Sequence, residues 1–166
     1  WFRRRGFANV TELRWWDAAS AGSLTITFVP ARHWSRRTIG DVNRSAWGGF
    51  VVSGGGITLY HAGDTGWFDG FRGIAARFPA IDLALLPIGA YAPAWFMEPH
   101  HMNPEQAIDA IEVLRARAMV PMHWGAFQLT DEPLVEPIER LRSAWEARRP
   151  AARLQVMSVG ETVAII

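Results

Sequence analysis

Between residues 57 and 122 the chain repeats one pattern: a short apolar run, a segment of helical period, then another apolar run. Ile57 to Tyr60, Ile81 to Ile88 and Met119 to Met122 are strand-sized, and their continuous apolar character suits strands buried on both faces. Phe68, Phe71, Ile74, Ala75 and Phe78 recur at three or four residues, which predicts a helix over 68–78. A second helix is announced by Asn103 as cap, Pro104 at the first helical position and Gln106 completing a capping box, with Ala107, Ile108, Ile111 and Leu114 as its face. Strands alternating with helices imply an α/β fold.

The flanking segments extend the sheet. Ser23 to Pro30 alternates polar with apolar residues, as a half-buried strand does. Trp47 to Val52 and Ile57 to Tyr60, joined by Ser53-Gly54-Gly55-Gly56, read as a hairpin. Residues 7–14 suggest a short helix end and strand. A helix over 132–149 (Leu134, Ile138, Leu141, Trp145) and a terminal strand pair, Leu154 to Val159 and Thr162 to Ile166, close the chain. With 166 residues, 49% hydrophobic and 20% charged, and neither repeats nor a long linker, the chain is expected to form a single domain over 1–166.

Chemistry collects after the strands. His33, Asp64, the pair His100 and His101, and His123 each follow a different apolar run, and ligands of open α/β sheets gather beyond the carboxyl ends of strands. With no cysteine in the chain, a metal would have to be held by His, Asp or Glu. Imidazoles with a carboxylate suit zinc, iron or manganese, and an aspartate between two sites can bridge two cations. Asp64 is the candidate bridge, and an Asx turn or a helix cap is the competing use of Asp64-Thr65-Gly66. His61, inside a strand, reads as a hydrogen-bonded or supporting histidine.

All seventeen basic residues are arginine, against sixteen acids, a net charge of +1 that gives no general attraction to nucleic acid or membrane. The distribution is uneven. Residues 1–49 carry eight arginines against three acids, and residues 50–166 nine against thirteen. Clusters such as Trp1 to Arg5, Arg14 to Trp16 and Arg32 to Arg37 could stack and bind single-stranded nucleic acid. Amphipathic packing over the sheet is the preferred reading. The uncharged stretch from Leu83 to Met97 is fifteen residues, too short and too interrupted by proline and glycine to span a bilayer. The opening residues have neither an apolar core segment nor a small-residue cleavage site, so they are not expected to be a signal peptide. The composition fits cytoplasm or periplasm and leaves peripheral membrane association open.

Several motifs together resemble the metallo-β-lactamase-fold hydrolases: Thr27 to Thr38, Trp47-Gly48-Gly49, His61-Ala62-Gly63-Asp64-Thr65-Gly66, Leu86 to Tyr91, Trp95-Phe96-Met97 and Met122-His123-Trp124-Gly125. The subgroup they resemble most is the one containing N-acyl-phosphatidylethanolamine-hydrolysing phospholipase D. The resemblance implies the C-terminal half of an αββα sandwich, a mixed sheet with flanking helices. It also implies His33 as ligand to one metal, Asp64 as the carboxylate bridging two, and His123 as ligand to the second. His101 would be a non-ligand histidine beside the substrate, and Tyr91, Trp95, Phe96 and Met97 would wall an apolar part of it. The implied chemistry is attack of a metal-bridging hydroxide on a phosphodiester or related ester, of a small molecule or a lipid, with two divalent ions, zinc before manganese or iron.

The His-x-His-x-Asp-His motif of that family, which supplies two ligands to each metal, is absent from these residues. Together with the opening Trp1-Phe2-Arg3-Arg4-Arg5-Gly6, which lacks an initiator methionine, this suggests part of a longer polypeptide whose other half completes the domain. Taken alone, the chain is expected to be metal-poor and inactive, with an uncovered sheet face that favours oligomers. The alternative is a non-catalytic binding piece, a degenerate hydrolase or an Arg/Trp surface for nucleic acid.

Overall fold

The apolar runs become the strands of one mixed sheet in a computed structural model that describes residues 1–164. The strands are β1 (Ala18–Ala21), β2 (Leu24–Val29), β3 (Gly49–Gly54), β4 (Ile57–His61), β5 (Leu83–Pro87), β6 (Ala118–Met122) and β7 (Arg153–Leu154). The helices are α1 (Gly70–Arg77), α2 (Ala94–Met97), α3 (Pro104–Leu114) and α4 (Glu136–Arg148), and a 3-10 turn covers Arg3–Arg5. Strands lie side by side in chain order, antiparallel from β1 to β4 and parallel from β4 to β7.

This order fixes where the chemistry sits. Two antiparallel steps separate β2 from β4, so β2 runs in the same direction as β4, β5 and β6. The carboxyl ends of all four therefore open on one edge of the sheet, and the residues that follow them share that edge.

The two faces of the sheet differ. Thr27, Val51, Tyr60, Ala84 and Met119 lie in register across one face, where Phe71, Ile74, Ile108, Ile111, Leu114 and Leu141 of α1, α3 and α4 form a continuous core with Val51, Tyr60, Ala84 and Met119. Each large side chain buried there contributes about 1.5–3 kcal/mol. Right-handed crossovers between parallel strands laid down in one direction put successive helices on the same side, which accounts for all three sharing this face. The other face carries Ile26, Val52, Leu59, Leu83 and Ala118 in register, with Phe28, Phe50, Leu85 and Val120 in the next row. It is apolar but only partly covered, and Leu24 and Phe50 are exposed.

Helix α3 shows the expected capping box: the Asn103 side chain accepts from the Gln106 N–H, and the Gln106 side chain accepts from the Asn103 N–H. Helices α3 and α4 are tied to each other by ion pairs, Arg140 to Glu105 at 2.8 Å and Arg148 to Asp109.

Three expectations are corrected. Residues 7–14 form no helix or strand. The terminal strand pair reduces to Arg153–Leu154, with Gln155 adding one N–H to the Met119 carbonyl, while residues 162–164 lie outside any strand and residues 165–166 outside the described ones. Helix α4 starts at Glu136 rather than Glu132, because the Glu132 side chain is turned inward onto another loop. Two elements, β1 and the short α2, have no counterpart among the sequence expectations.

Candidate metal centre

Two loops are fastened together before any functional side chain is placed. After β2, Arg32 pairs with Gly66 across an isolated bridge, and the fully buried Thr65 hydroxyl accepts the Arg32 N–H at 2.9 Å while donating to the Gly66 carbonyl at 2.8 Å. The indole N–H of Trp47 donates to the Ala31 carbonyl at 3.1 Å. His33 and Asp64, thirty-one residues apart in sequence, thus stand on one braced unit.

The turn that carries Asp64 depends on Gly63. Its φ is +65°, and a Cβ there would lie 2.7 Å from the Gly48 carbonyl oxygen, so only glycine lets the turn close on the Trp47-Gly48-Gly49 segment. The Asp64 side chain, half exposed, caps no helix; its Oδ1 lies 3.5 Å from Nε2 of His123. His123 itself stands in the left-handed region (φ +60°) immediately after β6, a conformation that a non-glycine residue adopts only when its surroundings impose it. Gly89, after β5, presses on it: a Cβ on Gly89 would lie 2.2 Å from the His123 carbonyl oxygen.

His101 arrives by a different route. It precedes the cap of α3, its backbone N–H bonds the Met97 carbonyl at 2.9 Å, and it lies between the other two imidazoles. Its ring centroid is 5.2 Å from that of His33 and 5.2 Å from that of His123. His100 stands 5.6 Å from His33. His33, His101, His123 and Asp64 therefore form one contiguous row, as a shared strand edge requires.

The orientation of the His33 ring is set by its neighbour. Nδ1 lies 2.8 Å from the Trp34 carbonyl oxygen, which can only accept, so Nδ1 carries a hydrogen, and whenever the ring holds a single proton it is Nε2 that presents the lone pair. That Nε2 is buried and has no hydrogen-bond partner. Burial, then the neighbouring His123 and His33, push the His101 pKa down to about 4, against a smaller opposing pull from Asp64, so its ring is neutral near pH 7. Burial and then His33 also lower that of His100. His61 serves the backbone: its Nδ1 accepts the Gly63 N–H at 3.1 Å and helps to set the Asp64 turn.

The row has the donor chemistry of a divalent-metal site, and the bare Nε2 of His33 is what such a site requires of a ligand. Among the described residues no group of three His, Asp or Glu side chains is arranged to hold an ion by itself.

Tyr91 is buried, its hydroxyl donating to Glu136 at 2.7 Å and its ring lying 5.0 Å from the Arg140 guanidinium. Trp95 and Phe96, on α2, are exposed at 82% and 60%. Of the Arg/Trp clusters, the first packs on itself, with Arg5 3.9 Å over Trp1, and the second packs on α1, with Arg77 4.6 Å over Trp16.

Two supporting residues escape a reading of the sequence. Thr65 sits in a tripeptide typical of turns, and Glu132 lies in Asp131-Glu132-Pro133, which reads as a helix start. Glu132 is instead buried, accepting N–H groups from Ala90 at 2.6 Å, Tyr91 at 3.2 Å and Ala92 at 3.1 Å. It holds the loop that begins at Gly89 and thereby the backing of His123. No local pattern announces such a long-range partner.

Comparison with known proteins gives consistent relatives. A family profile described as the beta-lactamase superfamily domain matches residues 2–124. The N-acyl-phosphatidylethanolamine-hydrolyzing phospholipase D 1 of Caenorhabditis elegans is 36% identical over 159 residues, covering 89% of this chain and 45% of that protein. A protein of Opitutus terrae named as a metal-dependent hydrolase is 38% identical, covering 90% of this chain and 62% of its own. Among solved structures, a metallo hydrolase of the archaeon Ignicoccus hospitalis superposes with a TM-score of 0.72 at 29% identity, over 98% of this chain and 63% of the other. The chain thus spans less than two thirds of the length of each of these three proteins.

Proposed function

We propose, from the premise that the chain belongs to the beta-lactamase superfamily, that it provides one flank of the metal centre of a hydrolase acting on a phosphodiester or related ester. In this reading His33 would hold one divalent ion and His123 the second, with Asp64, beside His123, as the carboxylate they would share. Bound there, such ions lower the pKa of water toward neutrality and stabilise negative charge developing on the substrate.

The observation that supports the reading is the orientation of His33: Nδ1 anchored on the Trp34 carbonyl, leaving a buried Nε2 without a partner, in the same row as the Asp64–His123 pair. Thr65 and Gly63 keep the carboxylate and the first imidazole in mutual register. His101, neutral and set between the two ligand histidines, has ring nitrogens that can donate to or accept from a substrate oxygen. Trp95 and Phe96, both exposed, would cover an apolar portion of the substrate, while Tyr91, held by Glu136, would fix the loop from which they project. Further donors have to come from outside this row, since a zinc ion takes about four ligands. The chain by itself is therefore expected to bind metal weakly and to lack activity, whereas a polypeptide that also carries the His-x-His-x-Asp-His segment binds two ions and turns over. The relatives' names agree with a hydrolase; the substrate class is the inference.

The test is to measure zinc or manganese content and hydrolysis of bis(p-nitrophenyl) phosphate in such a longer polypeptide. Asp64→Asn is expected to lower the rate by at least about a hundredfold and to reduce metal content. Full activity in that variant, or no metal in the unaltered protein, overturns the proposal and favours a non-catalytic binding role.

A further inference from the structure

The metal row leaves one concavity without a role. Beyond the tip of β6 a cavity of about 190 Å³ is bounded by the loop that follows His123 and by the start of α4. Its walls include Trp124, Phe127, Leu129, Leu134 and Pro137, and His123 contributes to the same lining. The cavity therefore adjoins the proposed reaction centre directly.

The chemistry of the lining restricts what can enter. One carboxylate, that of Glu132, is among the lining groups. Carboxylate oxygens offer about four acceptor positions, and three of them are taken by the N–H groups of Ala90, Tyr91 and Ala92. Those three aligned N–H dipoles also compensate its charge locally. The Gln128 side-chain amide is engaged too, donating to the Glu132 carbonyl at 3.3 Å. What remains for a ligand is largely aromatic and aliphatic surface, with His123, Gln128 and Thr130 as its polar members, so a charged group entering it would exchange its water for few partners. The concavity is open to solvent on the side of Phe127 and Leu129, both exposed; an enclosed apolar cavity of about 150 Å³ accommodates benzene, so the volume here suits a group of that order with one side left in water.

We propose that this cavity is a specificity pocket for an uncharged apolar substituent of about the size of a benzyl group. Its assignment to the substrate rests on the hydrolase reading above, with the ester placed at Asp64 and His123 and the substituent directed toward Trp124 and Leu134. The occupancy of the pocket itself needs no metal, which lets the two ideas be separated.

The experiment compares benzyl alcohol, benzylammonium and benzoate, each titrated into the metal-free chain and followed by backbone amide and indole N–H chemical shifts. Benzyl alcohol is expected to saturate at about millimolar concentration, the affinity ordinary for so few atoms, moving the amides of residues 124–134 and the Trp124 indole. Both charged analogues are expected to bind at least tenfold more weakly. Leu134→Trp, which fills the cavity, is expected to abolish the response while leaving the spectrum of the sheet unchanged. The proposal is overturned if benzylammonium binds as tightly as the alcohol, since the Glu132 carboxylate would then be reading the ligand. It is overturned equally if the alcohol shifts only the exposed face around Leu24 and Phe50. Should benzyl alcohol bind as described while the longer polypeptide takes no metal, the pocket stands and the hydrolase reading fails.

Discussion

Glu132 shows how much one side chain can hold in place. Replacing it by alanine leaves three backbone N–H groups without their acceptor, and hydrogen bonds to a charged group are worth about 1.5–3 kcal/mol each before any coupling. Glu132→Ala is expected to cost on the order of 3–5 kcal/mol in chemical denaturation. Glu132→Gln should cost less, because its amide keeps one accepting oxygen but turns an NH2 toward the third N–H. At Thr65 the change to valine preserves shape and removes the acceptor for the Arg32 N–H. A loss of about 1–2 kcal/mol is expected, together with weaker metal binding in the longer polypeptide as His33 and Asp64 lose register. Stability equal to that of the unaltered chain would show that the two loops are held by something else. Gly89→Ala has a different signature: the added Cβ meets the His123 carbonyl rather than a movable side chain. Displacement of the His123 resonances, measured by NMR, is the expected outcome.

Legibility in the sequence varies from element to element, for physical reasons. Helix α3 is readable almost to the residue because its start is written in local chemistry, the Asn103–Gln106 box with Pro104. The hairpin of β3 and β4 is readable from its glycine-rich turn, and β5 and β6 from their apolar runs. Strand β1 is not, because Ala18-Ala19-Ser20-Ala21 carries neither β-branched residues nor alternation; it exists because β2 offers it a ladder. The chain end departs in the opposite sense: Leu154 to Val159 has strand composition, but pairing to β6 ends after Met119↔Leu154 and a single further N–H. For the candidate site, His33, Asp64, His101 and His123 can be picked out because each follows an apolar run, and the shared direction of β2, β4, β5 and β6 explains why that is enough to gather them. Thr65 and Glu132 act across thirty or more residues and leave no local mark. At this scale Asn103→Ala is expected to lower stability by about 1 kcal/mol, and a shift in the His101 resonances should accompany the frayed start of α3.

The whole molecule is asymmetric: one sheet face is sealed by α1, α3 and α4, while the other presents apolar rows that include the exposed Leu24 and Phe50. Such a surface is expected to bind the dye ANS in the folded chain, and Phe50→Thr should diminish that signal without lowering the unfolding temperature by more than a few degrees. An unchanged dye signal would place the accessible apolar surface elsewhere, for instance on Trp95 and Phe127. The edge of the sheet, rather than either face, carries the proposed site, because there the strand direction, the Thr65 brace and the Glu132 clasp converge on the same row of donors. Titration of the chain with paramagnetic Mn²⁺, read as selective broadening of NMR signals, examines that row most directly, since it detects even weak occupancy. Broadening is expected first at His33, Asp64 and His123, with the α4 carboxylates Glu139 and Glu146 spared. Broadening centred on those α4 carboxylates, with the three strand-tip residues untouched, would contradict the account.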